Sequence, residues 1–174
     1  MLQHQWRVTK YDPAMRTSGG HFIGKEWTEF GQLAAAGDEA LTKPEQYLQA
    51  EDRYVRAVER FLSASGVDEI TVEGLELLSY KPNETDTLGL RMAPFVEGQV
   101  LSAAGEAGQV CRLVLRNYLW CRLIAENSGF VHFGWDYYMY IGSGRPCENA
   151  VTRTIADGLF VEPFTSPHHQ NAEE

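Results

Sequence analysis

One stretch limits the fold more than any other. Between Gly129 and Gly142 the chain reads Gly-Phe-Val-His-Phe-Gly-Trp-Asp-Tyr-Tyr-Met-Tyr-Ile-Gly and holds six of the protein's twenty aromatic residues. Aromatic and β-branched side chains favour strands, and Gly134-Trp135-Asp136 between two such runs predicts a hairpin turn. Period-two alternation then places Val131, Phe133, Tyr137, Met139 and Ile141 on one face and Phe130, His132, Tyr138 and Tyr140 on the other. Both faces are aromatic. Helices can cover one, so the other either meets a second layer or stays accessible as a partner-binding surface with a histidine in it.

Two helices are expected to supply the cover. Thr42-Lys43-Pro44-Glu45 has capping-box spacing with a proline in the first turn, and Gly66 follows Ser65 as a stop. At 100° per residue, Tyr47, Leu48, Tyr54, Val55, Val58, Phe61 and Leu62 fall in one arc, with Glu51 in the middle of it. A carboxylate there either pairs with a buried arginine or faces a ligand, because an unpaired buried charge costs several kcal/mol, in order of magnitude. The second helix is expected from about Ser102 to Glu126, apolar around nearly the whole wheel, with Arg112 and Arg116 on its narrow polar side as the nearest partners for Glu51. Asn117 falls inside the apolar arc of that helix and is expected to be buried and hydrogen-bonded.

Strands are expected near Trp6–Thr9, at Glu69–Glu73 with a continuation past Gly74 to Tyr80, and at Leu159–Val161 after a short helix from Glu148 to Asp157. The expected fold class is therefore α+β, a mostly antiparallel sheet packed against two main helices, in a single compact domain over residues 1–164. From Thr165 onward a disordered tail is expected.

The charge balance narrows the partners. Fifteen Lys and Arg stand against 24 Asp and Glu, a net charge of −9, which makes nucleic acid an unexpected ligand and favours a basic protein partner. Asp68, Glu69, Glu73, Glu76, Glu84, Asp86 and Glu97 form the densest acidic stretch, and a negative surface patch is expected there. No apolar run is long enough to span a membrane or serve as a signal peptide, so a cytoplasmic location is expected. Cys111, Cys121 and Cys147 lack metal-binding or redox spacing and the five histidines are scattered; reduced thiols, no metal and no cofactor are expected. Composition leaves the oligomeric state open.

Several segments carry a resemblance. Trp6-Arg7-Val8-Thr9-Lys10-Tyr11-Asp12-Pro13, Glu26-Trp27-Thr28, the Tyr47-Leu48 to Glu51-Asp52 helix, Leu119-Trp120-Cys121-Arg122-Leu123, the His132–Tyr140 run and Gly158-Leu159-Phe160-Val161-Glu162 together resemble a family of small bacterial cytosolic proteins without a settled function. The resemblance covers nearly the whole chain and implies no residue roles. By analogy of size and charge alone, such proteins suggest immunity or antitoxin partners of toxins. Gly129-Phe130-Val131, Tyr140-Ile141-Gly142 and Arg153 also partly resemble the strand pair of GIY-YIG nucleases, but Phe130-Val131 replaces that family's Ile-Tyr pair and the acidic balance opposes DNA binding.

No GxSxG elbow, Walker loop, HExxH or strand-borne GxGxxG occurs. An enzyme would have to be a small hydrolase or nuclease-like protein using His132, Asp136 and the hairpin tyrosines, with Cys147 as a conceivable thiolate. The favoured expectation is binding without catalytic residues, through Trp135, Asp136, His132, Tyr138 and Tyr140.

Overall fold

The computed structural model describes residues 2–25, 27, 28, 30 and 43–169. Thr42 of the expected capping box, Glu26 and the end of the expected tail lie outside them. In chain order the elements are β1 (His4–Thr9), α1 (Lys43–Ser65), β2 (Glu69–Leu77), β3 (Val100–Ser102), α2 (Glu106–Leu115), β4 (Leu119–Ala125), β5 (Gly129–Phe133), β6 (Tyr138–Ser143), α3 (Glu148–Ala156) and β7 (Phe160–Pro163). The strands form one seven-stranded sheet in the order β3-β2-β4-β5-β6-β1-β7, antiparallel throughout. The fold is α+β.

Alternation decides which side of the sheet is dry. Val8, Val72, Leu101, Cys121, Leu123, Val131, Met139 and Ile141 are all at most 1% exposed. The strand register puts these residues on one face. Helix α1 covers that face, packing on β5 and β6 and lying between α2 and α3. Its apolar arc is as the sequence predicts: Tyr47, Tyr54, Val58 and Phe61 are fully buried, and the Phe61 ring meets Trp6 of β1 at 5.0 Å between centroids. Helix α1 also carries Glu51 inward.

The expected helix from Ser102 to Glu126 is corrected. Helix α2 ends at Leu115, Asn117 takes a left-handed backbone (φ 58°) and is exposed, and the chain returns as strand β4. In β4 the inward Leu119, Cys121 and Leu123 alternate with half-buried Trp120, Arg122 and Ile124, so apolar side chains on both faces made a strand resemble an all-round buried helix. Among the described residues, the two main helices α1 and α2 and the short α3 expected from Glu148 are all present, with α2 shorter than expected.

The far face of the sheet also has a cover. After β7 the chain crosses this face: Phe164 lies under the Arg7 guanidinium at 4.3 Å, the Ser166 amide donates to Gln5 Oε1 at 3.0 Å, and His168 sits against Trp120 and Tyr140. Ser166 is 2% exposed, and Pro167–His169 form a 3-10 turn. Residues 165–169, which open the tail expected from Thr165, thus lie on the sheet. The second layer that the two-sided aromatic hairpin requires is this segment.

Candidate functional site

Strands β5 and β6 pair as Val131 with Ile141, His132 with Tyr140 and Phe133 with Met139, leaving Gly134–Tyr137 as the connecting loop. Two consecutive non-glycine residues in it, Asp136 (φ 55°) and Tyr137 (φ 63°), are left-handed. Such a conformation costs about 1–2 kcal/mol per residue and persists only where surroundings over-determine it. Here they do. The Tyr137 carbonyl accepts from Tyr54 Oη at 2.6 Å, Tyr137 Oη donates to the Leu115 carbonyl at 3.0 Å, and Trp120 Nε1 donates to the Phe133 carbonyl at 2.9 Å. The Tyr137 ring meets Trp27 edge-on at 4.9 Å. Gly134 permits the close turn, since a Cβ there would stand 3.1 Å from the Tyr138 carbonyl oxygen.

The outcome of this clamping is Trp135. It is 86% exposed, the most exposed of the large apolar side chains among the described residues. Beside it lies a cavity of about 170 Å³ whose lining includes the apolar Val114, Leu115, Leu119, Phe133 and Met139 and the polar Thr28, Asn117 and Asp136. Asp136 is exposed at this cavity. Leu77 and Leu78, 58% and 53% exposed, stand at the same end of the sheet, where Leu77 pairs with Leu119.

The five residues expected to form one binding surface divide into two groups. Trp135 and Asp136 reach solvent at the tip, whereas His132 (1% exposed) and Tyr140 (9%) are buried on the far face. Tyr138 is half-buried between the Arg7 and Arg16 guanidiniums, 5.5 and 5.7 Å from its ring centre. Register places His132 and Tyr140 in a row across six strands, Glu162-Arg7-Tyr140-His132-Arg122-Glu73. His132 stacks on Phe130 at 4.1 Å and its Nδ1 is 2.8 Å from Ser166 Oγ. The cavity-lining Thr28, Val114, Leu115 and Asn117 escape sequence reasoning, although an asparagine between two apolar runs is a signal for a left-handed turn.

A buried ion cluster joins α1 to the end of α2. Glu51 is fully buried and accepts from Arg116 Nε at 2.6 Å, Arg116 Nη2 at 2.7 Å and Arg112 Nη1 at 2.6 Å. Of the two readings of Glu51, the arginine pair is the one formed. Arg116 also donates to Asp86 Oδ2 at 2.6 Å, which fastens the β2–β3 connection over α2. Burial would raise the Asp86 carboxyl, but donors from Arg116, the Leu90 amide and Tyr118 hold it below the usual range. Burial, together with its bond to Asp86, pushes the Tyr118 phenol up to about 12.

The acidic stretch is likewise partly absorbed. Asp86 is buried in that pair, and Glu97 accepts the Gly74 and Leu75 amides at 2.9 and 2.6 Å, closing the β2 edge. Asp68, Glu69, Glu76 and Glu84 remain exposed.

An assembled catalytic group is not formed by the residues singled out for one. His132 lies beneath the C-terminal segment while Asp136 stands on the loop, and Cys147 hydrogen-bonds Ser143 Oγ and the Arg145 carbonyl, both at 3.4 Å. Cys111 and Cys121 are buried free thiols that burial holds above their ordinary pKa. Among the described residues no group of His, Cys, Asp or Glu could hold a metal ion, and no helix is long and apolar enough to cross a membrane. Comparison with protein-family models, curated proteins and solved structures finds no match.

Proposed function

We propose that the protein acts by binding a basic protein partner in the cytoplasm, in the manner of an immunity or antitoxin-type inhibitor, with the β5–β6 loop as the contact. The observation that carries this reading is Trp135, 86% exposed on a loop fixed by three side-chain hydrogen bonds. An unpaired indole held in a rigid frame loses little conformational freedom on binding and has the character of an interface anchor. Leu77 and Leu78 add apolar surface at the same end, and the exposed acids of β2 and the following connection supply charge. Those acids would accelerate encounter with a cationic surface, whereas the tryptophan would set the dissociation rate.

The test places a photoreactive phenylalanine analogue at position 135 in the producing cell, with the same analogue at Ile155, an exposed apolar residue on α3, as the control. The expected result is a single covalent adduct at 135 and none at 155. The adduct's protein should have a net positive charge and bind purified wild type at least about tenfold more tightly than Trp135→Ala, a difference of about 1.4 kcal/mol. Equal labelling at both positions would remove the loop from the binding site.

A further inference from the structure

The cavity beside Trp135 has a size and a charge that specify what enters it. A cavity of about 150 Å³ walled by aliphatic and aromatic side chains is large enough to take up benzene. The present one, about 170 Å³ and with Val114, Leu115, Leu119, Phe133 and Met139 in its wall, has room for a phenyl or branched aliphatic group but not for a peptide segment. Asp136, an exposed acidic residue, is among the residues that line it. The loop's left-handed turn at Asp136 and Tyr137 keeps Asp136 and Trp135 at the cavity. The cavity is therefore bounded by apolar residues, an acidic residue and a tryptophan, and the last two side-chain types both attract a cation.

Resting on the binding role proposed above, we infer that the cavity receives one apolar side chain of the partner, of phenyl or isobutyl size, carried next to a lysine or arginine whose cation pairs with Asp136. The apolar group would displace water from the lining, and the neighbouring cation would select among apolar partners. An acidic neighbour would be rejected by the same carboxylate and by the net charge of −9. Recognition of a basic partner then has a definite local rule, an apolar residue beside a cation, in addition to long-range attraction.

Phenethylammonium carries both elements, and phenethyl alcohol is its neutral counterpart. Titrated into the full-length protein with labelled methyl groups, phenethylammonium is expected to shift the Met139, Val114 and Leu115 signals while leaving remote core methyls such as those of Val72 and Leu101 in place. The alcohol should bind about fivefold more weakly, the size of one exposed ion pair. Asp136→Asn should remove that difference without disturbing the fold, because asparagine tolerates the left-handed backbone at this position. Two results would overturn the inference: no shift at the cavity methyls up to the solubility of the cation, or equal affinity for cation and alcohol in the wild type. Either can occur while the crosslink at position 135 succeeds, and then the binding role stands and only the cavity's part in it is lost.

Discussion

Glu51 shows how far a single residue can be reasoned from sequence and where geometry takes over. Its place in the apolar arc of α1 requires a partner, and Arg116, its side chain 2% exposed, supplies a two-pronged guanidinium. Truncating one member of such a pair strands the other charge away from water. Glu51→Ala should therefore lower unfolding free energy by about 3–5 kcal/mol in urea denaturation at neutral pH. Asp52 binds the same Arg112 but its side chain is 47% exposed, so Asp52→Ala should cost less than about 1 kcal/mol. Trp135→Ala makes the opposite case. With its side chain largely in solvent it should leave stability within about 0.5 kcal/mol of wild type, whatever it does to binding.

Among the elements, the turn between α2 and β4 is the one the sequence disguises. Nothing in Leu113–Ile124 breaks the apolar run except Arg116, Asn117 and Arg122, and only a left-handed backbone at Asn117 reverses the chain. Asn117→Val, a β-branched residue at φ 58°, should destabilise by about 1–2 kcal/mol, while Asn117→Gly should be tolerated. In a continuous helix through this position glycine would be the more damaging of the two, so denaturation of the pair distinguishes the arrangements.

The β2–β3 connection offers a pH test. Its Asp86 carboxyl is held below the ordinary carboxylate range, so it contributes stability that is present above the unfolded value of about 3.9 and lost as pH falls through the lower folded value. The Leu88 and Leu90 amides, which donate to Asp86 Oδ1, should therefore shift only in a titration carried below about pH 4. A transition at those amides near neutrality would contradict the Asp86–Arg116 fastening.

For the whole molecule, the disposition of charge and cover matters most. Arg7, Arg16, Arg56, Arg60, Arg112 and Arg116 are engaged by Glu162, Asp157, Glu51, Asp52 and Asp86 in nearly self-neutralising clusters. The net charge of −9 is thus left to the surface, where it acts at long range. Association with a basic partner should slow as salt is raised from about 0.05 to 0.5 M, with the dissociation rate changing much less; stopped-flow measurement separates the two. Removing residues 164–174 should uncover Phe130, His132 and Tyr140 and produce dye binding to exposed apolar surface, because among the described residues no α-helix lies on that side of their strands.

What the chain determined locally was its periodicities. The arc of α1 with Glu51 inside it, the alternation of β5 and β6 and the short α3 all follow from side-chain spacing, since burial of one stripe or one face is a property of a segment by itself. Three things were decided only by tertiary structure. The reversal at Asn117 depends on β4 finding β2 and β5 as partners, because an apolar run suits a buried helix and a central strand equally well. The second aromatic face of the hairpin gained its cover from Phe164–His168, a largely polar and proline-containing segment with no core signature, held there by hydrogen bonds to Gln5 and His132. The separation of Trp135 and Asp136 from His132 and Tyr140 follows from the same fact: alternation tells which residues share a face, and only the assembled layers tell which face meets water.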